Sequence, residues 1–143
     1  MWLYQGEEID ENILEQYVGF VYMITNIETG RQYIGKKLLK KTRTKKTKGS
    51  KRAKKVVTDS DWRDYYGSNS TLKEDVSTLG GDAFRREILK LCESKGLCNY
   101  WEAKYQMYYN VLESEQFYND HIWVRVHRSH LKNKTKTTHA PDA

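Results

Sequence analysis

Two tyrosines eleven positions apart, followed at once by lysines, form the first constellation in this chain that could do chemistry. Tyr22 stands in Gly19-Phe20-Val21-Tyr22-Met23-Ile24, and Tyr33 opens Tyr33-Ile34-Gly35-Lys36-Lys37. A β-hairpin accounts for the tyrosines as half-buried sheet residues, but it does not account for the lysines. From Lys36 to Lys55 the chain carries twelve cations and no acid: Lys36, Lys37, Lys40, Lys41, Arg43, Lys45, Lys46, Lys48, Lys51, Arg52, Lys54 and Lys55. Without those twelve, the 25 basic residues fall to 13 against 19 acids, so the rest of the chain is net −6 although the whole is +6. A dense positive patch on an acidic body is the footprint of a polyanion partner. A solvated charge run is the alternative, and even that would attract nucleic acid without reading its sequence.

A second constellation is Cys92, Cys98, His127 and His130. Its spacing, C-x5-C with H-x2-H, fits no zinc-finger pattern, and Cys92 reads as a core strand residue. Two cysteines do not make a disulfide framework. No apolar run approaches the roughly 18 residues of a membrane span, and the first twenty residues are too acidic for a signal peptide. A cytoplasmic protein with no membrane partner is expected.

The elements that must position these residues follow from pattern. A length of 143 residues suits one domain. Residues 10–17 read as a short helical turn capped by Asp10. Phe20–Ile24, the turn Asn26-Ile27-Glu28-Thr29-Gly30 and the return Gln32–Gly35 form an antiparallel hairpin. The basic arm 36–55 reads as a protruding hairpin, with Leu38-Leu39 paired to Val56-Val57 around Gly49-Ser50. Ser60–Tyr66 is a capped turn ended by Gly67. Ser68 or Ser70 then caps a helix bearing Leu72, Val76 and Leu79 on one face, stopped at Gly80-Gly81. Phe84–Cys92 is a core strand, Leu97–Leu112 the longest helix, and Ile122–Val126 a last strand by its alternation. The organisation is an N-terminal extension over 1–18, a globular domain over 19–130, and a polar frayed tail over 131–143.

Val21-Tyr22 followed by Tyr33-Ile34-Gly35 resembles the two-part signature of the GIY-YIG nuclease family. Phe20-Val21-Tyr22 replaces the usual Gly-Ile-Tyr, with Gly19 one place early. Asp64-Tyr65-Tyr66-Gly67-Ser68, then Leu72, Gly80 and Phe84-Arg85-Arg86-Glu87-Ile88-Leu89, resembles the middle block of a phage-type, homing-endonuclease-like subgroup. The similarity runs from Gly19 to His130.

The resemblance implies an α+β fold, with a small central antiparallel sheet flanked by helices, and metal-dependent cleavage of DNA phosphodiesters. It implies one Mg²⁺ or Mn²⁺ held by Glu102, a supporting Asn119, and double-stranded DNA as partner, in a bacterial host cell if the chain is phage-encoded. One of Tyr22 and Tyr33 would serve as, or orient, the base for the attacking water. A phenol with a pKa near 10 is a poor base at neutral pH, and Lys36 could lower it. The catalytic arginine is Arg43 by family spacing, or Arg63 if the arm is an insertion; Arg63 is favoured. Glu102 is expected exposed at a rim, beside Asn99 and Gln106 on its helix. Specificity would come from the arm or a homodimer, or be weak. A non-catalytic nucleic-acid-binding module using the arm is the rival reading.

Overall fold

The run Gly19–Asn26 is buried along its whole length, and its place in the sheet is the reason. In the computed structural model, which describes residues 1–45, 49 and 54–131, the strands are β1 (Trp2–Tyr4), β2 (Glu7–Glu8), β3 (Gly19–Asn26), β4 (Gln32–Leu38), β5 (Lys40–Lys45), β6 (Lys54–Asp59) and β7 (Phe84–Cys92). The helices are α1 (Ser70–Leu79) and α2 (Lys95–Tyr108). Five strands form one sheet in the order β2-β1-β7-β3-β4, so β3 has a neighbour on each side. Phe20, Tyr22 and Ile24 face one core with Trp2, Trp62 and Leu72. Val21 and Met23 face another, made with Ile34, Leu97, Trp101 and Tyr105. A strand covered on both faces reads as a continuous apolar run, which is what Phe20–Ile24 is. The fold is α+β, as expected, although β1 runs parallel to β7 while the other pairs are antiparallel.

The stretch 1–18, expected as an extension, is built into this sheet. Trp2 is buried and its indole N–H donates to the Trp62 carbonyl at 2.7 Å. Asp10 caps the 3-10 turn Glu11–Gln16 through the Asn12 N–H. The turn around Trp62 is held from below by Arg86 of β7, a buried guanidinium between the Trp2 and Tyr66 rings. It donates to the Arg63 and Tyr65 carbonyls, both at 2.9 Å.

Several element boundaries differ from the sequence reading. Asn69, not Ser68 or Ser70, caps α1 by accepting from the Leu72 N–H. Helix α2 starts behind Ser94 and ends by Tyr109, where Asn110 takes a positive φ of 55°; Leu112 lies beyond it and is exposed. The arm is a separate two-stranded ribbon of β5 and β6. Its register runs from Lys40 opposite Asp59 to Lys45 opposite Lys54, so Val56 and Val57 face Arg43 and Thr42 rather than the leucines. Leu38 instead ends β4 opposite Gly19, and Leu39 is buried in the core. Lys46, Lys48, Lys51, Arg52 and the tail from 132 lie outside the described residues, and Arg43, Lys45 and Lys54 are placed by backbone alone.

The expected strand Ile122–Val126 has no sheet partner among the described residues. The outer edge of β4 is already taken. Gln32 exchanges backbone bonds with Gln116 and Tyr118. One step along, the buried Asn119 side chain accepts from Ile34 N–H at 3.0 Å and donates to Ile34 C=O at 2.7 Å. A side-chain amide thus does the work of a peptide unit, and the chain after it leaves the edge. Among the described residues, no helix is long and apolar enough to cross a membrane.

Candidate active site

The hairpin register puts Gly35 opposite Tyr22 and Ile24 opposite Tyr33. The two phenols share one face, with ring centroids 6.2 Å apart. Tyr22 is only 1% exposed, and its ring lies across Gly35. A Cβ there would stand 2.6 Å from the Tyr22 hydroxyl oxygen and 2.9 Å from Tyr33 Cε2. The missing side chain is what lets the phenol reach over the edge strand. The Tyr33 hydroxyl is 3.1 Å from Ser68 Oγ, and Gly67, at φ 91°, lets the chain turn there.

Helix α2 approaches the same edge from the opposite face. Asn99, Glu102 and Gln106, spaced three and four apart, share one side of it. Together with Tyr22, Tyr33, Lys36 and Ser68 they line a cleft of about 400 Å³, which His121, Trp123 and Arg125 also border. Lys36 donates to Asn99 Oδ1. Glu102 is half-buried rather than exposed at a rim. Burial lifts its carboxyl pKa above the ordinary value, while the Lys36 ammonium, the Lys36 backbone and His121 pull it back.

Burial also sets the state of the phenols. Tyr22 is pushed well above its ordinary value, first by desolvation and then by Tyr65 and Tyr33. Tyr33 is raised by desolvation, partly offset by its bond to Ser68. Lys36 is turned to Asn99, and both phenols stand raised rather than lowered. Both phenols are protonated at neutral pH, each offering one O–H donor and lone pairs.

A hard cation fits this cleft by its donor chemistry. Among the described residues no ion pair closes on the Glu102 carboxylate. One turn on, Gln106 Nε2 is committed to the Ile34 carbonyl at 2.9 Å, which leaves its buried Oε1 without a partner. An orphaned buried acceptor costs about 1–3 kcal/mol. A carboxylate and an amide oxygen are the ligand types that Mg²⁺ or Mn²⁺ takes, directly or through water. Cys92, Cys98, His127 and His130 do not assemble into such a site: among the described residues, no group of three or more His, Cys, Asp or Glu could hold an ion.

The two candidate arginines are elsewhere. Arg63 lies over the Trp62 ring and pairs with Glu11 at 2.7 Å and Asp59 at 3.9 Å. It lines a different hollow, bordered by Glu11, Leu39, Lys40 and Asp59. Arg43 belongs to β5, in the ribbon. Lys36 instead joins the cleft to a second groove, bordered by Lys37, Lys40, Lys41, Tyr65 and Lys95. There Lys37 Nζ sits 3.9 Å above the Tyr65 ring and 2.5 Å from Asp61. Sequence reading missed Ser68, Asn99, Gln106, His121, Trp123 and Arg125 as cleft residues. For Asn99 and Gln106 the signal was present, as the i−3 and i+4 neighbours of Glu102.

Residues 2–122 match the family model described as "Putative endonuclease segE, GIY-YIG domain". No curated protein and no solved structure matches the chain.

Proposed function

The chain belongs to the GIY-YIG family, and on that premise we propose that it is a metal-dependent endonuclease that hydrolyses phosphodiester bonds of double-stranded DNA. The observation that carries this reading is the cleft itself. Tyr22 from β3, Tyr33 and Lys36 from β4, and Glu102 from α2 converge at one sheet edge, although Glu102 lies far beyond the hairpin in sequence. A purely structural role for the tyrosine pair would not require a carboxylate and an ammonium beside it.

Glu102 would hold one Mg²⁺ or Mn²⁺, with Gln106 supporting its shell; a bound divalent ion would withdraw charge from the phosphate and ease departure of the leaving oxygen. The chain's own residues do the positioning. The two protonated phenols place the attacking water and a non-bridging phosphate oxygen, each through one O–H and one lone pair. Lys36, fixed by Asn99, keeps a positive charge next to Glu102 and the entering phosphate. Asn119 holds β4 at Ile34, and so holds Tyr33 and Gly35 on either side of it. The lysines of the second groove and the ribbon follow the DNA backbone and contribute affinity rather than sequence reading.

The test is incubation of the purified protein with supercoiled plasmid, in Mg²⁺ and in EDTA, beside Glu102→Gln. The wild type should nick or linearise plasmid only with metal. Glu102→Gln should lose cleavage by several orders of magnitude while still binding DNA. No metal-dependent cleavage by the wild type, with binding retained, would leave a nucleic-acid-binding module that works through its basic ribbon.

A further inference from the structure

Residues 120–127 run without helix or sheet partners, yet both ends of this stretch are fixed. At one end is Asn119, buried and bound to Ile34. At the other, the 3-10 turn Arg128–Leu131 sits on the start of α2, where a Cβ on Gly96 would come within 2.6 Å of the His130 ring. The chain is therefore a strap from the β4 edge to the first turn of α2, and the cleft lies beneath it. His121, Trp123 and Arg125 border the cleft. Ile122 packs on the core beside α2, while Val124 and Val126 are exposed.

A phosphodiester in this cleft needs a donor that spans two non-bridging oxygens, and a guanidinium does this with a geometry that an ammonium cannot copy. The cations around the cleft are not equally free to serve. Lys36 is bound to Asn99, and His121 lies 2.6 Å from Asp120. Arg63 is paired with two carboxylates outside the cleft. Arg125 borders the cleft and makes no ion pair or hydrogen bond among the described residues. We propose that Arg125 grips the phosphate undergoing cleavage, and that the strap is the mount that carries this guanidinium to the cleft. Trp123, 71% exposed beside it, offers a flat face to the sugar or base of the same nucleotide. The proposal rests on the nuclease reading above for its chemistry but not for its phosphate contact.

Two measurements separate the two. In Ca²⁺, binding of a labelled duplex is followed against salt for wild type, Arg125→Ala and Arg125→Lys. Losing one phosphate contact should flatten the slope of log affinity against log salt by about 0.9 in the alanine variant, while lysine keeps it. In Mg²⁺, single-turnover cleavage at saturating DNA should slow about 10²-fold for Arg125→Ala, the scale of removing one charge-stabilising donor. Arg125→Lys should stay well below wild type, and free guanidinium should restore at least part of the alanine variant's rate. An unchanged salt slope, or a saturated rate within about threefold of wild type, overturns the assignment. A wild type that does not cut, with the slope still flattened by Arg125→Ala, overturns the nuclease reading and leaves the phosphate contact standing.

Discussion

Gly35→Ala tests the geometry that brings Tyr22 into the cleft. The new Cβ would meet the Tyr22 hydroxyl oxygen at 2.6 Å, Tyr22 Cζ at 2.9 Å and Tyr33 Cε2 at 2.9 Å. Ordinary contact begins near 3.4 Å, so the hydroxyl must retreat by about 0.8 Å. It cannot do so freely, because the Tyr22 ring is packed edge-on against Trp2 and Tyr65 at 5.4 and 6.0 Å. Overpacking of this kind costs about 1–3 kcal/mol. A misplacement near 1 Å in a reacting constellation costs about 10²-fold in rate. The assay pairs thermal unfolding with single-turnover plasmid cleavage at saturating protein. The double variant Tyr22→Phe with Gly35→Ala should regain part of the lost stability, since its nearest clash is gone, but none of the rate. A Gly35→Ala protein with wild-type unfolding temperature and a rate within about twofold of wild type would refute the placement of the phenol over the edge strand.

Tyr22→Phe and Tyr33→Phe each delete one hydroxyl from a buried ring; at least one should lose most cleavage activity with little change in melting, and near-normal rates in both would leave the hairpin as scaffold. Burial raises the Glu102 pKa, so the native state holds that proton more tightly than the unfolded chain. Its stabilising contribution is therefore present in acid and lost as pH rises through the raised value. In EDTA, Glu102→Gln should thus gain in melting temperature relative to wild type from acid to neutral pH, whereas added Mg²⁺ should raise only the wild type; the opposite trend in either would count against the site. Excising residues 42–57 and joining Lys41 to Thr58, which face each other, through Asn-Gly removes eight cations. If half of these touch phosphates, the salt slope should flatten by about 3 to 4 while the sheet still folds; an unchanged slope would exclude the ribbon from DNA binding.

What the sequence could reveal depended on how local each feature was. The β3–β4 hairpin and β7 were legible because their apolar runs are bounded by turn residues. The first strand was not, since Trp2-Leu3-Tyr4 is too short to show a period, and it is its pairing with β2 and β7 and the Trp2–Trp62 bond that make it structural. Glu102 and the tyrosines were singled out through the family resemblance, but their states were not legible, because the raised pKa values come from burial that only the packed sheet supplies. The alternation at Ile122–Val126 was read as a last strand, but the stretch has no sheet partner among the described residues, and Trp123 and Arg125 border the cleft instead. Arg63 looked available in sequence because Glu11, its nearer carboxylate partner, is brought beside it only by the fold.

The amide of Asn119 has a consequence for how the molecule behaves in a crowd. An open strand edge is a template on which another chain can extend the sheet, and such recruitment leads to aggregates. One border of this sheet ends in two exposed glutamates, Glu7 and Glu8, too short and too charged to recruit a neighbour. The other is occupied by residues 116–118 at Gln32 and by Asn119 at Ile34. Beyond Ile34 the border carries Lys36 and opens into the cleft. Asn119→Leu would keep the bulk and remove both hydrogen bonds, leaving a bare strand border that invites self-association. One side chain thus separates the part of the edge that must stay solitary from the part that must stay available.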